Sequence, residues 1–469
     1  MTSDHFAMVL PKEGASSQHE PTASSSSTSS VIRTRSVRSK SGKSHAAAKF
    51  FGSKKLVSGP AIGISNGENF IFKPTKSERA RIYVKNQWNN VMYGFHLSSK
   101  VSVSSSSPIW MLGRCYTMGN SKRDDMRSDV NREFAADFRT RLWFTYRRHF
   151  PVISGSQLTT DCGWGCCLRS GQILLAEGLV RHFLGRNWRW EETDDREQEV
   201  FHRQIIRWFG DFDRPDNLFG IHRLVNIGID QQHGRKAGDW YGPASLALIL
   251  QRAMSMARSA NPLLQDIQLY VSKDCSIFKG DVLELLADRL LYSTSTAAEP
   301  RALIIIVPVR LGSSRMNPLY IPCIKELLTM EYSIGITGGR PAHSLHFVGW
   351  QDNSLISVDP HLSQQAVDVD TRSFPLSSFH CSTPHTLPVK KMDPSCALGF
   401  YFANIRDFYK FEQISSEVQN LHCKGFPVFT FAEGHCRDYE HNLEERAEWI
   451  ENNSNPLTSS NAGSDYVIL

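Results

Sequence analysis

The sequence predicts an α+β fold, and three observations carry that reading. Apolar residues recur at helical spacing mainly in the first half of the chain's body. Short runs rich in Ile, Val and aromatic residues concentrate in its second half. Strand and helix patterns do not alternate, which argues against a parallel βαβ sheet. A large core is affordable, because 41% of the 469 residues are hydrophobic and 21% charged. That balance excludes a wholly disordered, collagen-like or coiled-coil chain.

Residues 1–75 are rich in Ser, Thr and Ala and poor in large apolar side chains. Such a segment cannot bury enough surface to offset its ordering entropy and reads as a disordered tail. Nine Lys and Arg against three acids in residues 1–67 account for the whole net charge of +6, so the other 402 residues balance. The basic run from Arg33 to Lys55 reads first as a solvated linker, with mitochondrial targeting or a membrane surface as secondary roles. The neutral body gives no reason to expect nucleic acid as a partner.

The folded domain is expected over 76–435. Phe134, Phe138, Leu142 and Tyr146 at successive i, i+4 positions predict a helix over Asn131–Phe150. After the turn Cys162-Gly163-Trp164-Gly165, a second helix is expected from Cys166 to Leu184, with others at Arg196–Phe209 and Pro243–Met256. Strands are expected at Asp266–Val271, Arg301–Val309, Leu345–Trp350 and Leu355–Val358, the last two joined as a hairpin through 351–354. Residues 436–469 read as a flexible tail. The longest apolar run, Ala302–Val309, is far short of the ~18–20 residues of a membrane span. Asp4 and His5 interrupt any secretory leader. Ten cysteines in so long a chain, Cys166 and Cys167 adjacent, fit reduced thiols in a cytoplasmic protein.

The chemistry points to a cysteine nucleophile. Cys166 stands where a glycine-rich turn meets a helix start, where free N–H groups and the positive end of the dipole favour a thiolate. Those N–H groups also suit the oxyanion of a tetrahedral intermediate. Alone, the position fits a buried structural cysteine equally well. Asp359-Pro360-His361 follows a predicted strand, and i, i+2 alternation puts Asp359 and His361 on one face. Asp359 is then placed to orient His361 as general base and acid for Cys166. Among 17 histidines a surface turn is the commoner reading of such a tripeptide, and His343 and His346 are rival bases. Cys162, Cys166 and Cys167 lack the paired spacing of a structural zinc site, so no metal is expected.

The run Thr159-Thr160-Asp161-Cys162-Gly163-Trp164-Gly165-Cys166-Cys167-Leu168-Arg169-Ser170-Gly171-Gln172 closely resembles the nucleophile motif of the autophagins, the autophagy cysteine proteases. Ala237–Pro243, Val307–Gly312, Asp359–His361 and Lys391–Cys396 follow in the family's order, so the likeness covers roughly residues 80–435. Arg141–Tyr146 and Pro318–Leu328 look most like the D-type vertebrate paralogue, with the C-type next. The resemblance implies a papain-like fold with a small extra subdomain and no cofactor. It implies cleavage of ubiquitin-like modifiers (light-chain-3-like and GABARAP-like proteins) after a C-terminal glycine, from precursors and from phosphatidylethanolamine. It places the catalytic residues on Cys166, His361 and Asp359, and the tyrosine near the oxyanion on Tyr146. Trp240 would cover the cleft, and Gly338, Gly339, Arg340 and Pro341 would form a mobile loop. The enzyme would be a monomer that meets autophagic membranes through its lipidated substrate.

Two rival readings accompany this one. A deubiquitinase or transglutaminase-like enzyme would share the fold. A weakly active, autoinhibited scaffold would bind modifiers through the tails, where Tyr466 and Leu469 fit an aromatic-x-x-aliphatic strand-addition motif. Phe6 to Val9 offers a weaker copy of that motif.

Overall fold

The computed structural model describes residues 107–117, 124–191, 195–232, 234–287 and 301–441. The basic tail and the terminal Tyr466 and Leu469 lie outside them. Along the described chain come β1 (Ile109–Met111), β2 (Arg114–Tyr116), α1 (Asp124–Thr140), β3 (Arg147–Arg148) and α2 (Cys166–Phe183). Next are α3 (Arg196–Trp208), α4 (Ile221–Gln231), α5 (Pro243–Ala260), β4 (Ile267–Val271), β5 (Ser276–Phe278) and α6 (Lys279–Ala287). The second half adds β6 (Ala302–Arg310), α7 (Ile321–Thr329), β7 (Ser333–Arg340), β8 (His343–Gln351), β9 (Ser354–Val358) and β10 (Gln364–Gln365). It closes with β11 (His385–Pro388), β12 (Ser395–Phe402), α8 (Ile405–His422) and β13 (Thr430–Ala432).

The main sheet runs β11-β9-β8-β7-β12-β6-β4, and β1 docks on β8 with Trp110 opposite Trp350. Only the β4–β6 pair along this path is parallel. Alternation along β6 explains how both faces are filled. Ile304 and Ile306 join a core with Leu174 of α2 and Leu250 of α5, whereas Leu303, Ile305 and Val307 join Ile324 of α7 and Phe408 of α8. Each such fully buried side chain stabilises the fold by about 1.5–3 kcal/mol. Helices therefore cover both faces, and α2 carries the nucleophile into the first of these layers.

The structure corrects three boundaries. The helix expected over 131–150 ends at Thr140. From Arg141 to Phe150 every residue but His149 is buried, so apolar side chains meet an i, i+4 pattern without a helix. The segment pairs as a strand instead: Tyr146 N donates to Pro360 O at 2.9 Å, Gln364 N donates to Tyr146 O at 2.9 Å, and β3 runs parallel to β10. The loop expected at Gly338–Pro341 is regular for most of its length. Gly338 and Gly339 pair with Leu345 and Ser344, and Pro341-Ala342 makes a two-residue turn between Arg340 and His343. The tail expected from 436 begins with helical residues 436–441, and His435 Nδ1 bonds Asp281 at 2.9 Å. The folded body thus extends past 435. No described helix is long and apolar enough to cross a membrane.

Candidate active site

The nucleophile's position is set by the turn before α2. Gly163 adopts φ 89°, a left-handed conformation that side chains disfavour. At Gly165 a Cβ would lie 2.6 Å from Asp161 Oδ2, so only glycine leaves room for that carboxylate. Asp161 ties the turn down. Its Oδ1 accepts from Arg147 N and its Oδ2 from Arg169 Nε, each at 2.6 Å, and Arg169 donates onward to Asp211 at 2.6 Å. Burial raises the Asp161 carboxyl above its ordinary value, against the opposing pull of these donors on both of its oxygens. Cys166 is thereby fixed as the first residue of α2, 1% exposed.

The partner comes from beyond β9. His361 Nδ1 donates to Asp359 Oδ1 at 2.6 Å, and the same oxygen accepts from His361 N at 2.9 Å. Trp143 Nε1 donates to the Asp359 carbonyl at 2.6 Å and so braces the tripeptide. With Nδ1 so held, Nε2 is buried without a nitrogen or oxygen partner, and Cys166 is the side chain that interacts with the ring there. Burial opposes charge on Cys166, yet His361, the Ser344 main chain and the Tyr146 hydroxyl bring the thiol below its ordinary value. Burial likewise opposes charge on His361, but Asp359 and Cys166 raise it to about 9. The pair is built for thiolate and imidazolium together.

Tyr146, 2% exposed, sets its ring edge-on to His361 at 5.3 Å. Burial and Cys166 push its phenol up, so it remains a hydrogen-bond donor beside the sulfur. Cys167 points elsewhere in character: burial and the neighbouring Cys166 push its thiol up, which leaves it a poor nucleophile. His346 is a core residue, fully buried and lowered to about 4 by that burial. His343 stacks on His361, rings 3.6 Å apart and 7° from parallel. His343, Asp359 and His361 each bring one ligand atom within 4.8 Å of the others. A cation there would compete with the Asp359–His361 hydrogen bond on which the pair depends.

A cleft of 360 Å³ is lined by Trp240, Cys167, Gly338, Arg340, Pro341 and Ser344 among others, and it meets the pair through Ser344, whose main chain interacts with Cys166. Trp240 is 42% exposed, so its ring is available to a ligand. The structure thus assembles Cys166, His361, Asp359 and Tyr146, and sets Trp240, Gly338 and Pro341 in the adjoining cleft; Gly339 lies in the same hairpin, with its carbonyl bonded to Asp393 N at 2.7 Å. Ser344, Trp143 and the stacking of His343 were not foreseen. Only the strand alternation around Leu345 hinted that Ser344 and His346 face one way. Chemically, the arrangement suits acyl transfer through a thioester.

Residues 131–414 match the peptidase C54 catalytic domain. The chain is 40% identical over 417 residues to cysteine protease ATG4C of Homo sapiens, covering 75% of this chain and 89% of that protein. It is 39% identical over 396 residues to cysteine protease ATG4D of Xenopus laevis, covering 75% and 81%. Cysteine protease ATG4A of Xenopus laevis matches at 32% over 330 residues, covering 67% and 79%. The first two identities do not separate C-type from D-type.

Proposed function

The chain belongs to the C54 peptidases, the papain-like autophagin cysteine proteases, and from that premise we propose that it cleaves ubiquitin-like autophagy modifiers after a C-terminal glycine. The substrates are light-chain-3-like and GABARAP-like proteins, taken both as precursors and as conjugates of phosphatidylethanolamine. One observation supports this best: Cys166 is only 1% exposed, and the cleft beside it, which reaches it through Cys167 and Ser344, is walled by Trp240, Pro341 and Gly338. A chain end that reaches such a thiol has to be slim, and glycine is the slimmest residue.

Cys166 thiolate attacks the glycine carbonyl, and the oxyanion forms beside the Tyr146 hydroxyl and the main-chain N–H at the start of α2. The C–N bond breaks as the thioester forms, and His361 delivers its proton to the departing nitrogen. Water, deprotonated by His361, then hydrolyses the thioester. A peptide and a lipid ethanolamine both leave as amines, so one site serves both reactions. On this reading the enzyme works in the cytoplasm as a monomer, and Tyr466 and Leu469 add a second handle on the modifier.

The test is cleavage of tagged modifiers, unprocessed and lipidated, by the full chain and by Cys166→Ala. Cys166→Ala is expected to lower turnover by a factor of about 10⁶ while substrate still binds. A vinyl-sulfone probe built on ubiquitin is expected to leave the enzyme unlabelled. Labelling by that probe, or activity lost in Cys167→Ala but kept in Cys166→Ala, overturns the reading.

A further inference from the structure

Five arginines are buried among the described residues: Arg141, Arg147, Arg148, Arg169 and Arg181. Four of them pair with carboxylates. Arg141 meets Glu177 at 2.6 Å, Arg147 meets Asp211 at 3.8 Å, Arg169 meets Asp161 at 2.6 Å and Arg181 meets Glu177 at 3.2 Å. Arg148 is 6% exposed, has no carboxylate partner among the described residues, and its Nε makes no hydrogen bond. A guanidinium largely withdrawn from water without a counter-charge among the described residues is costly, and an anionic ligand would supply that charge.

Its place in the fold says which anion. Along the extended segment, Arg147 turns to Asp211 and to the ring of Phe379, 4.8 Å from its guanidinium carbon. Alternation therefore puts Tyr146 and Arg148 together on the other face. Tyr146 touches the reacting groups, so Arg148 lies one two-residue step, about 6.7 Å, beyond them. The neighbouring Cys162 has its sulfur 3.1 Å from Ser363 Oγ, and burial raises that thiol, so it supplies no negative charge. Ser363 follows His361 at the same two-residue spacing. Arg148, Cys162 and Ser363 are all absent from the lining of the cleft that holds Trp240 and Gly338. If a modifier tail fills that cleft, its leaving amine falls outside it, and Arg148 stands outside it too, two residues beyond Tyr146.

We propose that Arg148 binds the phosphate of a phosphoethanolamine leaving group, which makes its surroundings the headgroup subsite of delipidation; this rests on the amine-releasing reading above. Four bonds of about 1.5 Å separate the scissile nitrogen from phosphorus, an extended reach of about 5 Å that matches the Arg148 step. Arginine presents a planar fork suited to two phosphate oxygens. In the step itself the amide C–N bond breaks as the Cys166 thioester forms, and the His361 proton goes to the ethanolamine nitrogen. Arg148 forms no covalent bond and binds only the phosphodiester.

The experiment compares kcat/KM of the full chain on four modifier conjugates: peptide-extended, ethanolamine, soluble glycerophosphoethanolamine, and phosphatidylethanolamine in phosphatidylcholine vesicles. The wild type is expected to prefer glycerophosphoethanolamine over ethanolamine by about tenfold or more. Arg148→Gln is expected to lower the ratio of phosphorylated to peptide turnover by roughly tenfold to a hundredfold, and Arg148→Lys to restore part of it. A wild type with no preference for the phosphorylated amine overturns the inference even if Arg148→Gln fails to fold. Equal losses on all four conjugates mean a structural arginine, and an effect confined to vesicles means contact with the bilayer; either overturns it. If the wild type cleaves no modifier conjugate at all, the proposed function itself fails, an outcome distinct from these.

Discussion

At the scale of single residues, the site depends on two groups that charge each other against their burial. His361 sits near 9 because Asp359 and Cys166 outweigh burial, and Cys166 is lowered mainly by His361. Protonated His361 is the form that donates to the leaving amine, so activity is expected to hold through neutral pH and fall as pH rises through about 9. Asp359→Ala is expected to move that alkaline limb down and remove most of kcat; a limb unchanged in the mutant would dissociate Asp359 from the pair. His343 has a different role from the rival base that its position suggested. Its ring stacks on His361, and losing such a contact is worth about 0.5–1.5 kcal/mol, so His343→Ala is expected to lower kcat about threefold to tenfold with KM unchanged. A loss as large as that of His361→Ala would make it a second base. Cys166, Asp359 and His361 were legible because local rules position them: a helix start for one, strand alternation for the others. The brace from Trp143 to Asp359 spans 216 residues, and no local pattern encodes it.

At the scale of elements, α2 is held by charges at its first turn. Asp161 joins the turn to Arg169 and to the Arg147 main chain, and Arg169 continues to Asp211. Removing one member of a buried ion pair typically costs about 3–5 kcal/mol, because the other charge stays behind in a dry site. Asp161→Ala is therefore expected to lower the unfolding free energy by about that amount and to reduce activity as Cys166 loses its seat. A melting temperature equal to wild type would show that Asp211 alone suffices. The same element shows what sequence reading captures. Its bounds and those of α3, β4, β6 and β9 followed from apolar spacing and β-branched content, since these elements stand between recognisable turns. The central strand β7 went unread because Gly335, Gly338 and Gly339 contradict strand propensity. Tertiary packing explains at least one of them: a Cβ at Gly335 would lie 2.6 Å from the His346 ring. In 141–150, burial on all sides imitated a helical period.

At the scale of the whole molecule, buried neutral histidines set the acid limit of stability. His202 Nε2 and His380 Nε2 lie 3.0 Å apart, and His380 Nδ1 donates to the Arg139 carbonyl at 2.7 Å. His380 Nε2 must therefore accept from His202, and a second proton would set two donors face to face. Burial lowers His202 to about 3, pushes His380 well below its usual value, and lowers His346 to about 4. Each folded value lies below the unfolded one near 6.5, so the unfolded chain binds more protons as pH falls. Their stabilisation is complete above about 6.5 and is lost as pH falls toward the folded values. His361 behaves oppositely: its contribution is present below about 6.5 and fades as pH rises through about 9. At pH ~5.5 each of the three neutral histidines is expected to cost about 1.4 kcal/mol, together about 4 kcal/mol out of a domain stability of order 5–15 kcal/mol. Urea unfolding of the full chain from pH 7.5 down to 5 is expected to show a falling midpoint, with net proton uptake on unfolding of at least about three near the acid end, since burial also lowers His182 and His222. A midpoint that stays level between pH 7 and 5.5 would mean that these histidines enter the fold already charged, against the one-proton geometry of the His202–His380 contact.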